Sequence, residues 1–234
     1  MSKIGIVTMG TGSYVNFLPS MLDSFAKYFL PQYEKQFIVL TDDKTLTHET
    51  ISNNIYFPFY EWPYSTLYKN KAINLTKEYF DCDILFWVDA DLKCIDYVTS
   101  SEDLLPTKEK PICCVNHCGW LHEGKEIKLY PYETNSKSTA FVEDIYKVPY
   151  HQACLYGGLY ENFFNMSKTI EKNIDIDLSN DIVAIWHDES HLNRYIQDIS
   201  LKTIPRIYAR PEAMGELLPN TKIISILKPN LNEQ

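Results

Sequence analysis

The stretch Ile84-Leu85-Phe86-Trp87-Val88-Asp89-Ala90-Asp91 decides the fold of this chain. It begins with a run of apolar residues, rich in aromatic and β-branched types, which predicts a strand buried on both faces. Because side chains alternate along an extended chain, we expect Asp89 and Asp91 on one side and Ala90 on the other. Ligands of open α/β sheets bind outside the carboxyl ends of the strands, where this pair would lie. Two carboxylates there suit a hard divalent cation that is also bound by phosphate oxygens. The alternative is that the aspartates are solvent-exposed residues of a turn, because aspartate is common where strands end.

The segments around this stretch predict an α/β protein. Apolar runs indicate strands at 3–8, 36–41, within 51–59, 94–98, 111–116, 203–207 and 222–227. Helical periodicity predicts helices at 13–30, 66–80 and 160–173, and residues 121–150 read as long loops. Early strands that alternate with helices predict a mostly parallel central sheet with helices on both faces. The strand at 150–158 runs into two adjacent glycines, for which a tight turn is the commoner explanation and a close backbone approach the other.

Composition excludes several classes of protein. The chain has 234 residues, of which 45% are hydrophobic and 14% aromatic, so it can bury a sizeable core, and we expect one domain over residues 1–234. A net charge of −9 argues against a nucleic-acid partner. No apolar run of about 18 residues occurs and no signal peptide is visible, so no membrane span is expected.

The cysteines are expected to be reduced thiols in a cytoplasmic protein. There are 6 of them, and none follows a C-x-x-C spacing. Cys114 and Cys118 lie near His117 and His122 in the sequence, which leaves a zinc site open as a minor alternative.

A small-residue loop follows the first predicted strand. Met9-Gly10-Thr11-Gly12-Ser13 joins that strand to the first predicted helix, the layout of a nucleotide-binding half-domain. The third glycine of the dinucleotide fingerprint is absent, so the loop indicates a nucleotide site of another kind.

A second cluster of reactive side chains begins at Trp186. Asp188 and Glu189 stand at a predicted helix start, where they would complement the helix dipole. His187 and His191 are spaced i, i+4, as in a zinc-dependent hydrolase. Zinc peptidases, however, place the general-base glutamate directly after the first histidine, and here Asp188 intervenes. The zinc hydrolase therefore stands as an alternative.

Three segments together resemble glycosyltransferase family 6, which contains the ABO histo-blood-group transferases, the α1,3-galactosyltransferase and shorter bacterial and phage relatives. They are 86–91, 151–158 and 186–195, and the last is nearly identical to the family's signature. The resemblance implies a GT-A fold and a retaining transfer of galactose or N-acetylgalactosamine from a UDP-sugar. The bond would be α1,3 to an oligosaccharide acceptor with a terminal galactose. The membrane anchor and stem of the animal members have no counterpart, so the chain is more similar to the bacterial and phage members.

The resemblance also implies which residues bind the donor. The expected set is Met9, Gly10, Thr11, Tyr14, Trp62, Lys69, Asp89, Gln152, Ala153, Cys154, His187 and Lys228. Within it, Lys69 and Lys228 would contact the diphosphate, although Lys69 replaces an arginine of several members and so loses bidentate geometry. Cys154 is larger than the glycine or alanine typical at its position, which favours galactose over N-acetylgalactosamine. Four aromatic residues could stack on sugar or uracil, namely Trp62, Trp120, Tyr130 and Trp186.

The acidic residues divide into two expected roles. Asp91 and Asp89 would hold Mn²⁺, with Mg²⁺ as an alternative, because such ions prefer oxygen ligands. Glu189 matches the family's catalytic carboxylate on the β-face of the donor, and Asp188 would hold sugar hydroxyls. Because all of these carboxylates are intact, an enzyme is favoured over an inactive sugar-nucleotide-binding module.

Overall fold

The structure is a computed structural model that describes residues 3–117, 121–122, 125–126, 131–144, 149–215 and 217–228. Its strands are, in chain order, β1 (Lys3–Met9), β2 (Glu34–Thr41), β3 (Ile51–Tyr56), β4 (Ile84–Val88), β5 (Leu92–Cys94), β6 (Ile112–Asn116), β7 (Leu121–His122), β8 (Lys125–Glu126), β9 (His151–Leu159), β10 (Leu201–Ile204), β11 (Arg210–Pro211) and β12 (Ile223–Ser225). Its α-helices are α1 (Leu18–Tyr28), α2 (Tyr64–Leu67), α3 (Lys69–Asn74), α4 (Ser101–Leu104), α5 (Tyr160–Ser179) and α6 (His187–Tyr195). Short 3-10 helices cover Gly12–Phe17, Lys77–Tyr79, Ile196–Asp198, Arg206–Tyr208 and Glu212–Met214.

A seven-stranded sheet with the order β10-β6-β9-β4-β1-β2-β3 forms the centre of the fold. The pairs β1–β2, β1–β4, β2–β3 and β6–β10 are parallel. Only β9 runs against its neighbours β4 and β6. The predicted α/β class, with a mostly parallel sheet, is therefore confirmed. A smaller sheet, β11-β12-β5, joins the C-terminal segment to the residues that follow β4.

The strand β4 is buried on both faces, as its apolar run predicts. Its alternate residues Ile84, Phe86 and Val88 pack in the hydrophobic cluster that includes α1. Leu85 and Trp87 pack in the opposite cluster, which includes residues of α3, α5 and α6. Helices thus cover both faces of the sheet, and the carboxyl end of β4 lies between the two layers.

The two adjacent glycines lie inside β9, so the prediction of a turn was wrong and the close approach is correct. A Cβ atom at Gly157 would lie 2.6 Å from the carbonyl oxygen of Leu85 on β4. One at Gly158 would lie 2.6 Å from the Ile112 side chain on β6. Both neighbouring strands therefore approach β9 at positions where a side chain would collide.

The prediction of one continuous helix at 66–80 was also wrong, because the structure has the short helices α2 and α3 and a 3-10 turn there. Thr66 and Thr76 donate their hydroxyls to the carbonyls of Pro63 and Ile73, at 2.8 and 2.7 Å. Such local side-chain bonds compete with a regular helix. The helix predicted at 13–30 is likewise divided into a 3-10 turn and α1.

Several boundaries differ from their predictions. The strand expected at 94–98 is β5, and Val98 keeps only an isolated bridge to Phe29. The strand expected at 203–207 ends before Pro205, which has no N–H to donate to a neighbouring strand. The helix α5 continues to Ser179, beyond its predicted end. None of the helices in the described ranges is both long and apolar enough to cross a membrane.

Candidate functional site

A cavity of about 640 Å³ opens where β1 and β4 end. It is lined by Met9, Thr11, Ser13, Tyr14, Phe59, Tyr60, Trp62, Ser65, Thr66, Lys69, Trp87, Asp89, Ala90, Asp91 and Lys228. This is the place at which a parallel α/β sheet binds ligands. Its size and its aromatic walls suit a small organic ligand, and its charged groups gather at one end.

Asp89 and Asp91 lie on one side, at the cavity, as expected, but the pair lies in a turn rather than in an extended chain, so the placement of Ala90 on the opposite side was wrong. The strand β4 stops at Val88, and the N–H of Leu92 donates to the carbonyl oxygen of Asp89 at 3.1 Å. Ala90 therefore lines the cavity together with both aspartates. The turn gives the two carboxylates different partners.

Asp91 is the buried member of the pair. Its Oδ2 lies 2.8 Å from the Lys228 Nζ and 3.4 Å from the Ser225 hydroxyl. Burial and the neighbouring charge of Asp89 raise the pKa of Asp91, and Lys228 opposes this shift. Lys228 also lies over the Tyr14 ring, 5.0 Å from its centroid. A positive charge next to the Asp91 carboxylate therefore stabilises its ionised form.

Lys69 joins the aspartate turn to the start of α6. Its ammonium lies 2.7 Å from Asp188 Oδ2 and 3.5 Å from Asp89 Oδ1, and it donates to the carbonyl oxygen of Ala153 at 3.1 Å. Burial alone would lower the pKa of Lys69, but Asp188 and Asp89 raise it well above its usual range. Trp87 Nε1 donates to the same Asp89 oxygen at 2.6 Å. The two acidic segments of the sequence thus share one buried cation.

Glu189 lies beside this ion pair on the first turn of α6. Its Oε2 accepts the N–H of Ala153 at 2.9 Å. Burial, and then Asp188, raise the pKa of Glu189 to about 7, while the Ala153 hydrogen bond opposes the shift. The Glu189 carboxylate in turn raises the pKa of Tyr150, after the larger effect of burial. A half-buried carboxylate that titrates near neutrality is a typical active-site group.

The structure brings most of the expected donor residues to this place. Cys154 lies within the electrostatic reach of both aspartates and of Glu189, which, after burial, raise the pKa of its thiol well above the usual range. The edge of the His187 ring meets the Trp62 ring at 4.9 Å between centroids. Gln152 lies deeper and donates to the carbonyls of Asn116 and Ala209.

Five residues of the expected set do not line the cavity, namely Gly10, Gln152, Ala153, Cys154 and His187, and Gly10 is the one of them in the loop after β1. Its N–H donates to the Leu40 carbonyl at 3.0 Å, and a Cβ atom there would lie 2.7 Å from Leu18. Gly10 therefore packs behind Met9 and Thr11, which line the cavity. Trp120 and Tyr130, like Cys118 of the possible zinc site, lie outside the described residues.

Comparison with known proteins decides the family. The family model described as glycosyltransferase family 6 matches residues 66–213, more than half of the chain, and includes the Lys69, Asp89, Asp91 and Glu189 positions. The chain belongs to glycosyltransferase family 6. The seven-stranded sheet flanked by helices is accordingly a GT-A-type fold.

Relatives come from bacteria and from animals. The chain is 26% identical over 226 residues to the O-antigen biosynthesis glycosyltransferase WbnI of Escherichia coli, covering 91% of this chain and 90% of that protein. It is 26% identical over 202 residues to the globoside alpha-1,3-N-acetylgalactosaminyltransferase 1 of Gallus gallus. It is 24% identical over 210 residues to the histo-blood group ABO system transferase 2 of Rattus norvegicus. The two animal matches cover 82% and 83% of this chain but only 57% and 59% of those proteins.

The cavity contains some, but not all, of the ligands that a divalent cation needs. Within the described ranges, no group of three or more His, Cys, Asp or Glu side chains is placed to hold a metal ion. Asp91 and Asp89 nevertheless present oxygens at one end of the cavity, and the buried Asp91 is stabilised by positive charge. Mg²⁺ and Mn²⁺ are commonly held by one or two carboxylates and completed by substrate phosphates. The residues therefore fit an ion that arrives with a phosphate ligand.

The zinc hydrolase alternative finds no support in the histidines. His191 is 2% exposed, and its Nε2 lies 3.7 Å from Asp177 on α5. His187 instead meets Trp62 at the cavity. The two rings thus have different neighbours and do not form a joint zinc site. This agrees with a role in holding the segment around Glu189 in place.

Three residues of the candidate site were not predicted from the sequence, namely Asn193, Phe59 and Tyr60. Asn193, fully buried, bonds both the Glu189 carbonyl and the backbone of His151. Its signal was the i, i+4 spacing from Glu189 within the signature segment. Phe59 and Tyr60 also line the cavity, and no local pattern distinguished them from other loop aromatics.

Proposed function

We propose that this glycosyltransferase transfers galactose or N-acetylgalactosamine from a UDP-sugar, in α1,3 linkage and with retention, to an oligosaccharide with a terminal galactose. The observation that carries the proposal is the Lys69 ammonium, which bridges Asp89 to Asp188 within one cavity wall. The diphosphate end and the sugar end of one donor could thereby be held at once. The name of the Gallus gallus relative, a globoside alpha-1,3-N-acetylgalactosaminyltransferase, supports the α1,3 linkage and the class of sugar.

The residues divide the work along the donor. The aromatic and small residues of the β1 end, with Tyr14 and Trp62, would receive the nucleoside. Asp89 and Asp91 would hold Mn²⁺, which neutralises the charge that develops on the departing diphosphate. Lys228, which already lies beside Asp91, would donate to diphosphate oxygens from the C-terminal segment.

Glu189 would act at the anomeric carbon. Its carboxylate stabilises the positive charge that develops on the sugar in the transition state. The Ala153 N–H fixes that carboxylate, and Lys69 fixes Asp188 so that it can accept from sugar hydroxyls. The free enzyme should lose kcat/KM below about pH 7, where Glu189 takes up a proton.

Galactose is the donor sugar that we favour. Cys154 lies on β9 within electrostatic reach of both aspartates and of Glu189, and its thiol would leave less room for an N-acetyl group than the glycine or alanine typical at this position. Hydrolysis of UDP-galactose should therefore exceed that of UDP-N-acetylgalactosamine. A clear preference for the second donor would overturn this choice, and a glycan array with both donors would identify the acceptor.

Turnover of a UDP-sugar by the purified protein is the test of the whole proposal. With Mn²⁺ and a galactose-terminated acceptor, the native chain should transfer sugar, and Glu189→Gln should lower kcat by about 10²-fold or more. Binding of UDP should stay within about twofold, since Glu189 is assigned to the sugar and not to the nucleotide. Sugar-nucleotide binding without any turnover by the native chain would instead indicate an inactive binding module.

A further inference from the structure

Strand β9 extends beyond the end of β4, and helix α6 takes over as its hydrogen-bonding neighbour. The β4–β9 ladder runs from Ile84 opposite Leu159 to Val88 opposite Leu155, and the Asp89 N–H then donates to the Cys154 carbonyl at 2.9 Å. The first residues of β9 have no β4 residue opposite them. Side chains of α6 bond three of their backbone groups instead, namely the N–H and carbonyl of His151 and the N–H of Ala153.

Two side chains of α6 make these bonds. Asn193 Oδ1 accepts the N–H of His151 at 2.8 Å, and Asn193 Nδ2 donates to the carbonyl of the same residue at 2.8 Å. Glu189 Oε2 accepts the N–H of Ala153 at 2.9 Å. The amide of Asn193 therefore pairs with His151 as a neighbouring strand would.

The spacing of these contacts defines one register between helix and strand. Glu189 and Asn193 are one helical turn apart, about 6 Å along the axis. Ala153 and His151 are two residues apart in a strand, about 6.6 Å. Because the two spacings nearly match, bonding of Asn193 to His151 places Glu189 opposite the Ala153 N–H.

Asn193 uses its amide oxygen and both hydrogens of Nδ2 in this contact. It is fully buried, and its second Nδ2 hydrogen is available for the Glu189 carbonyl, which accepts from Nδ2 at 2.9 Å. The start of the helix needs such an anchor. His187, directly before the acidic pair, has a φ of 51°, a left-handed conformation that is costly for a residue other than glycine.

We propose that Asn193 is a positioning residue for Glu189, and that it acts by setting the register of α6 on β9. The inference rests on the catalytic role of Glu189 in the proposed function. It makes no claim that Asn193 contacts the substrate. Loss of its amide should let the Glu189 carboxylate shift away from the sugar while leaving the nucleotide end of the cavity intact.

A double-mutant cycle on the full chain tests this proposal. Asn193→Ala, Glu189→Gln and the double variant are compared for kcat in UDP-galactose hydrolysis with Mn²⁺, and for UDP affinity by calorimetry. We expect Asn193→Ala alone to lower kcat about 10²-fold, as small misplacements of a catalytic group do, with UDP affinity within about twofold. In the Glu189→Gln background the same change should lower kcat less than about twofold further, because the two residues act as a unit.

Matched variants keep the result interpretable. Gln197→Ala removes another buried amide, which bonds the Asn193 carbonyl at 3.1 Å and not β9, and should leave kcat within about threefold. If Asn193→Ala does not fold, Asn193→Asp retains the oxygen that accepts from His151 and removes both Nδ2 donors. Equal losses from the Asn193 variant in both backgrounds, or equal losses from Gln197→Ala, would overturn the proposal. Full turnover by Glu189→Gln would instead overturn the proposed role of Glu189.

Discussion

Single side chains in this protein derive their chemistry from what they are buried against. Glu189 and Asp188 are adjacent in sequence, yet one carboxylate accepts a backbone N–H while the other contacts the Lys69 ammonium. Their different partners separate a carboxylate that titrates near pH 7 from one that is paired with a cation. Adjacent carboxylates with different surroundings can thus carry different roles.

Burial of the His191 ring predicts how the free energy of unfolding depends on pH. Burial lowers its pKa to about 4, and Asp177 and Glu133 only partly offset this. Between about pH 6.5 and pH 4 the unfolded chain therefore binds a proton that the folded chain does not. The free energy of unfolding should fall in this window as the pH falls, by up to about 3 kcal/mol from this residue.

Urea unfolding at pH 7, 6 and 5 measures this contribution. His191→Gln should lose stability less steeply than the native chain as the pH falls, by about 1.4 kcal/mol per pH unit. His151 is also fully buried with a pKa lowered to about 4, so His151→Gln should behave in the same way and the double variant additively. Parallel curves for the native chain and His191→Gln would contradict the assignment of a neutral buried ring.

At the scale of the element, β9 is the strand that organises the site. It is the antiparallel member of the central sheet, it carries Gln152, Ala153 and Cys154 of the expected donor-binding set, and it bonds the first turn of α6. Its two glycines allow β4 and β6 to approach closely enough to hold it there.

Gly157→Ala is therefore expected to be more damaging than Gly5→Ala. At Gly157 the added Cβ would meet the backbone oxygen of Leu85 at 2.6 Å, which cannot move without breaking the sheet. At Gly5, in β1, it would meet the side chains of Leu85 and Phe80 at 2.5 and 2.7 Å, and their ends can rotate away. We expect Gly157→Ala to lower the free energy of unfolding by about 3 kcal/mol and Gly5→Ala by about 1 kcal/mol. Urea denaturation would show otherwise if the two losses were equal.

At the scale of the whole molecule, the cavity is assembled from distant parts of the chain. The β1 end, the turn after β4, the α2–α3 region and the C-terminal segment all contribute lining residues. Asp91 connects the turn after β4 to the C-terminal segment, because its carbonyl accepts the Ile226 N–H at 2.8 Å while its carboxylate pairs with Lys228.

Removal of metal should therefore stop the enzyme, and Asp91 should be responsible. We expect a chelator to lower transfer at least 10²-fold and Mn²⁺ to restore it. Electron paramagnetic resonance should show Mn²⁺ bound in the presence of UDP, at least tenfold more weakly in Asp91→Asn. Asp96→Asn is the matched control, since Asp96 pairs with Lys222 away from the cavity lining. Full activity in chelator would contradict the metal assignment without affecting family membership.

The sequence by itself determined the class of fold, the family and the candidate carboxylates. A continuous apolar run such as 84–88 is stable only where it is covered on both faces, that is, between two layers of the fold. The segment 186–195 is so similar to the signature of family 6 that it indicates this family specifically. Only the tertiary structure decided that Lys69 joins the two acidic segments, that Gly157 lies within a strand, and that Asn193 sets the register of Glu189. These facts depend on contacts between residues 20 or more positions apart, such as Lys69 with Asp89 and Asn193 with His151. Local periodicity carries no information about which buried partner a polar side chain will meet.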